Sequence, residues 1–159
     1  MSRELELGRP TDRRPPFKYA ALTRVGFSDT DAQGIVYYGR YLPYFDLARV
    51  EYHRHLGLLD TDAEGFELVM RASAVEYFAP ARFDDLIEVF VRLARIGRTS
   101  ATYEFEAYDV AQDALMVTAR QTLVQIDLSG RRAATIDEAY RQRIAAFEGA
   151  DCALALPAA

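Results

Sequence analysis

Residues Phe27–Leu56 read FSDTDAQGIVYYGRYLPYFDLARVEYHRHL, and the second half of this run organises everything around it. Tyr41, Phe45, Ala48, Tyr52 and Leu56 recur at intervals of four, three, four and four residues. That spacing stacks them on one stripe of a helix. Gly57 stands just past the stripe, where a helix commonly closes on a left-handed residue. Upstream, Tyr19, Ala21, Thr23, Val25 and Phe27 alternate with other residues, the period of a strand. Downstream come four strand-like runs, Glu67–Phe78, Leu86–Ile96, Ala101–Asp109 and Leu115–Ile126. In the second, Ile87, Val89, Val91 and Leu93 alternate with Glu88, Phe90, Arg92 and Ala94; in the third, Tyr103, Phe105 and Ala107 do the same.

The connections between these runs (PARFDD, GRTS, VAQDA) are short, so sequential neighbours pair antiparallel. Thr135 and Glu138 have capping-box spacing ahead of a short helix bearing Ile136, Tyr140, Ile144 and Phe147. The predicted class is α+β: a five-stranded antiparallel sheet wrapped round one long central helix, plus a short C-terminal helix. Residues 1–17 are charged or Pro-rich and read as a flexible N-terminal arm, 18–148 as the folded domain, and 149–159 as a tail. One helix covers only part of a sheet face, so a homodimer or homotetramer is expected.

Composition narrows the function. The chain has 159 residues and a net charge of −5, with 19 Lys plus Arg against 24 Asp plus Glu. This disfavours a nucleic-acid partner or an anionic membrane surface. A single cysteine, Cys152, excludes an internal disulfide framework, and two histidines make a His-rich metal site improbable. No run approaches the ~18 apolar residues of a membrane span, and MSRELELGRP has no apolar signal core. The expected location is the cytoplasm, with no metal and no membrane span.

The densest cluster of chemistry-bearing residues is Phe27–Tyr41. It offers two carboxylates (Asp29, Asp31), a glycine for a tight turn (Gly34) and an imminent helix start. Free backbone N–H groups at a helix start suit a developing oxyanion, and a nearby carboxylate suits a base or nucleophile. A calcium loop fails, because its twelfth position is Arg40 rather than a bidentate glutamate. The spacing leaves a second reading open, in which Asp29 or Asp31 serves only as a turn or cap residue. His53 and His55 are two apart on the helix, on different faces, and read as structural or exposed.

The string DTDAQGIVYYGRYLPYFDLAR (Asp29–Arg49) resembles the signature of the 4-hydroxybenzoyl-CoA thioesterase family of hotdog-fold enzymes, including its Tol–Pal-associated acyl-CoA thioesterase branch. VEYFAPARFDDLIEV (Val75–Val89) is similar to that family's second strand and turn, and the likeness spans roughly residues 18–147. The resemblance implies hydrolysis of an acyl-CoA or aryl-CoA thioester to free acid and CoA, with CoA present only as part of the substrate. Position by position, Asp31 matches the catalytic carboxylate and Tyr38 the residue whose backbone N–H polarises the thioester carbonyl. Gly34 matches the motif's glycine, and Asp46 falls where relatives carry Asp or Glu facing the acyl pocket; on side-chain chemistry alone, Tyr37, Tyr38, Tyr41, Tyr44 and Phe45 would wall an apolar pocket around the carboxylate. Asp46 is also spaced to pair with Arg49. Arg98, with Arg95, lies where a relative carries basic residues for the CoA phosphates; Arg71 and Arg40 are further candidates. Tyr38 stands where the acyl-CoA branch commonly has histidine, and Arg40 where it often has asparagine. The alternatives on the same fold are a hydratase or dehydratase, which needs a histidine at the site, and a non-catalytic acyl-thioester binding module.

Overall fold

The computed structural model describes residues 6–59 and 66–154. The chain runs through β1 (Gly8–Pro10), β2 (Tyr19–Arg24), α1 (Tyr41–His55), β3 (Phe66–Tyr77), β4 (Leu86–Ile96), β5 (Ser100–Asp109) and β6 (Ala114–Asp127). It closes with β7 (Arg132–Ala133), α2 (Glu138–Glu148) and β8 (Ala153–Leu154). The sheet order is β1-β2-β4-β5-β6-β3, with antiparallel neighbours throughout. β7 pairs with β6, and β8 lies parallel to β4. The five long strands and the central helix are those expected from the sequence. β2 stops at Arg24 rather than reaching Phe27, because the Val25 N–H already bonds to the Asp85 carbonyl and Phe27–Asp29 coils into a 3-10 turn.

The helical stripe buries Tyr41, Tyr44, Phe45, Ala48 and Tyr52 against the sheet. Phe45 packs on Phe105 with ring centroids 5.0 Å apart, and Tyr52 meets Tyr19 and Tyr103 edge-on at 6.1 and 6.4 Å. Each such side chain, fully buried, contributes about 1.5–3 kcal/mol, which fixes α1 across β2 and β4. The helix ends as expected, with Gly57 at φ +69°. The inward alternation of Tyr103, Phe105 and Ala107 is also as read.

Three expectations need correction. The arm is not a loose segment from Gly8 onward: Gly8–Pro10 pair with Tyr19–Ala21. Phe17 packs on Phe90, Arg13 pairs with Glu88, and the Arg14 guanidinium lies 3.5 Å from the Tyr108 ring centroid. These contacts close the outer face of β4, so Phe90 and Glu88 are buried although they point away from α1. Residues 1–5 lie outside the described residues. The capping box does not form, because Asp137 is the N-cap of α2 and makes no side-chain cap bond. What anchors that helix start is the Ile136 N–H on the Arg98 carbonyl, together with the Arg141 guanidinium on the Gly97 and Arg98 carbonyls. The tail is packed as far as Leu154, with Cys152 buried and β8 alongside Arg95–Ile96.

Candidate active site

The loop between β2 and α1 is built as a small hairpin. Thr30 and Val36 form a bridge, the Asp31 N–H donates to the Ile35 carbonyl, and the Gly34 N–H donates back to the Asp31 carbonyl at 2.9 Å. Gly34 sits at φ +78° with open space around it, so only backbone sterics demand glycine there. The Val36 N–H on the Ala81 carbonyl and the Tyr37 N–H on the Asp29 carbonyl hold the hairpin against the β3–β4 connection and the exit of β2.

The two carboxylates of the motif differ sharply in their surroundings. One oxygen of Asp29, Oδ2, accepts from the Gly26 N–H at 2.9 Å and from the Tyr44 hydroxyl at 2.7 Å, while Oδ1 faces Arg40 Nε at 3.9 Å. Asp31 accepts a single bond, from the Gln33 N–H to Oδ1 at 2.8 Å, and its second oxygen has no partner among the described residues. Asp29 is therefore engaged as a turn and cap residue, whereas Asp31 keeps one oxygen unbonded among the described residues. Tyr38 opens a 3-10 turn that runs directly into α1. Its N–H has no acceptor among the described residues, and its carbonyl accepts from the Tyr77 hydroxyl at 2.9 Å. The Tyr37 and Tyr38 rings lie 4.2 Å apart and exposed.

The other expected site residues are placed differently. Tyr41 and Phe45 do not line an open pocket within one chain; both are core, Tyr41 2% and Phe45 0% exposed. The Tyr41 oxygen accepts from the Ala81 N–H at 3.2 Å, and burial pushes its phenol up. Asp46 is exposed and ion-paired with Arg49 at 2.9 Å, the helical pairing that its spacing allowed. Arg95 and Arg98 stand at the far end of β4 from the loop. From Leu86, next to Asp85 that holds Val25, to Ile96 is about 33 Å of strand at ~3.3 Å per residue. One chain therefore does not bring them to its own Asp31. Arg71 is exposed on β3, and Arg40, beside Asp29, is the cation nearest the loop among the four arginine candidates.

His53 lies near the C-terminal end of α1, with Nε2 2.6 Å from the Tyr103 hydroxyl and 3.1 Å from that of Tyr140. Burial, assisted by the Arg49 charge, lowers its pKa to about 4. His55 pairs with Glu6. Neither histidine reaches the loop, so the constellation a hydratase needs is not formed within the chain. Next to His53 a cleft of about 350 Å³ opens between α1, β3, β6 and the start of α2, lined in part by Arg49, Tyr140, Leu68, Leu123 and Ile136. The Asp29–Tyr44 bond and the Tyr77 contact had no local signal in the sequence, since their partners lie 15 and 39 residues apart.

A long antiparallel sheet laid on one central helix, with a free carboxylate on the loop entering that helix, defines a hotdog-fold protein. The sequence profile of the Thioesterase-like superfamily matches residues 25–144, and the chain belongs to that family of thioester hydrolases. It is 34% identical over 106 residues to the acyl-CoA thioester hydrolase YbgC of Escherichia coli, covering 65% of this chain and 78% of that protein. A crystal structure of a Pseudomonas aeruginosa protein superposes with a TM-score of 0.74 at 27% identity, over 82% of this chain and 92% of that one. The 1,4-dihydroxy-2-naphthoyl-CoA thioesterase of Synechocystis shares the fold, with a TM-score of 0.73 at 22% identity over 79% and 93% of the two chains.

Proposed function

We propose that this protein hydrolyses acyl-CoA thioesters to free acid and CoA, with Asp31 as nucleophile or general base and the Tyr38 N–H as oxyanion donor. The observation that carries this reading is the contrast between the two motif carboxylates. Asp29 is held by two donors on one oxygen, while Asp31 keeps a free oxygen on the loop whose next turn presents an unpartnered N–H. The likeness to YbgC, named an acyl-CoA thioester hydrolase, supports the substrate class. Carboxylate-assisted hydrolysis needs no redox group or metal; water and the thioester supply every atom of the products. A CoA substrate favours the cytoplasm, and among the described residues no helix is long and apolar enough to cross a membrane.

The working unit in this reading is a dimer joined through β3. That strand ends the sheet, spans 12 residues and is exposed or half-buried wherever its side chains are described. An edge of this length is a template for another strand. Tyr77, at one end, touches Tyr38; Leu68, at the other, lines the cleft. About 30 Å of strand separates them at ~3.3 Å per residue. Antiparallel pairing of two β3 edges exchanges the ends, so the cleft of one copy comes beside the Asp31 loop of the other. The Arg95–Arg98 corner lies at the cleft end, where guanidinium groups would meet CoA phosphates of the partner's substrate.

Thiol release from a panel of acyl-CoAs tests the reading. Asp31→Asn should lower turnover about 10²–10⁴-fold while circular dichroism is unchanged. A well-folded Asp31→Asn protein with wild-type turnover overturns it.

A further inference from the structure

We infer that Asp29 and Tyr44 form a positioning pair that sets the distance between the reacting carboxylate and the oxyanion donor. This rests on the reading of Asp31 as the reacting group and adds two residues that act without touching the substrate. Asp29 lies where three segments meet. Its Oδ2 takes the Gly26 N–H from the strand exit and the Tyr44 hydroxyl from the first turns of α1. Its carbonyl takes the Tyr37 N–H from the returning arm of the hairpin.

The Asp31 hairpin leaves the chain two residues after Asp29, and Tyr38 follows the residue held by the Asp29 carbonyl. Asp31 and the Tyr38 N–H are thus carried on two arms that share one clamp. Tyr44 is only 5% exposed and packs edge-on against Tyr41 at 5.7 Å, so its hydroxyl has little freedom to turn away. Burial, reinforced by the Asp29 bond, holds that phenol far above its usual range, so it stays a donor throughout any assay pH. A carbonyl under attack must lie within about 3 Å of both nucleophile and oxyanion donor, and a misplacement of ~1 Å lowers rates roughly 10²-fold. Loosening the clamp should therefore affect the chemical step more than binding.

The geometry also dictates which substitution is harmless. Both donors converge on the same oxygen, so the amide oxygen of Asp29→Asn can accept both bonds. Tyr44→Phe keeps the ring packing and deletes one bond; Asp29→Ala deletes two. In steady-state thiol release, Tyr44→Phe and Asp29→Ala should lower kcat about 10- to 100-fold with KM within about twofold. Asp29→Asn should stay within about threefold of wild type. Melting temperatures recorded alongside separate loss of fold from loss of rate. An unchanged kcat in Tyr44→Phe overturns the inference. So does an Asp29→Asn protein as inactive as Asp31→Asn, which would make Asp29 the reacting carboxylate. A fully active Asp31→Asn would instead overturn the reading of Asp31 itself, whatever the Asp29 variants do.

Discussion

Replacing His53 by glutamine should remove a defined part of the pH dependence of stability. The imidazole Nε2 faces the hydroxyls of Tyr103 and Tyr140, and its pKa falls to about 4, chiefly through burial and then through the Arg49 charge. In the unfolded chain the group titrates near 6.5. The folded value is depressed, so the unfolded state binds the extra proton first, and stability is lost as pH falls from about 6.5 toward 4. Linkage of ~1.4 kcal/mol per pH unit gives a loss of roughly 2 kcal/mol between pH 7 and pH 5 from this group alone. His53→Gln offers an amide oxygen to the same hydroxyls and does not titrate. Urea unfolding followed by circular dichroism should therefore show wild type losing roughly 2 kcal/mol more than the variant over that range. Comparing the two proteins at each pH cancels every other titrating group, including Glu148, which burial pushes the opposite way. A stability gap that stays constant from pH 7 to pH 5 would refute the reasoning.

Light scattering at micromolar concentration should report a dimer or larger assembly, and a fully active monomer would contradict pairing through β3. Gly34→Ala meets no neighbouring atom, so its penalty is that of the left-handed backbone alone, about 1–2 kcal/mol. At ~2–4 °C per kcal/mol for a chain of this size, the melting temperature should drop by about 2–8 °C, and no drop would show that the turn adopts another conformation.

The parts of the fold that were legible in the sequence are those whose period comes from burial of one face. Tyr41, Phe45, Ala48 and Tyr52 gave away α1, and Ile87–Leu93 and Tyr103–Ala107 gave away two strands, because each set faces a single apolar neighbour. Pattern failed where both sides of an element are covered, or where a partner comes from far along the chain. Phe90 reads as an outward residue and is one, yet Phe17 buries it from 73 positions upstream. Thr135 and Glu138 have the right spacing for a cap, but the Arg141 guanidinium and the Arg98 carbonyl already fix that helix start. At the site, the motif and its turn were legible because they are contiguous. Which carboxylate is free was not, since the decision rests on Tyr44, a helix residue whose hydroxyl reaches back 15 positions to Asp29. Arg98 was assigned to the CoA phosphates by resemblance, and it stands at the far end of β4 from the Asp31 loop.

The covered parts of the sheet bear on where a second copy would attach in the proposed dimer. α1 covers the inner face over β2 and β4, and Phe17, Arg13 and Arg14 cover the outer face around Phe90 and Tyr108. At one edge stands β1, only three residues long and ending in Pro10, two devices that discourage further pairing. The opposite edge, β3, is 12 residues long, contains no proline and is shielded by no other described strand. Val69, Met70 and Tyr77 are exposed along it, and Phe78 continues the apolar run. An isolated chain with this edge open would offer both backbone partners and apolar side chains to solvent. A two-fold pairing would cover both at once and, being antiparallel, would also carry the cleft and the arginine corner to the partner's Asp31, as the proposed dimer requires.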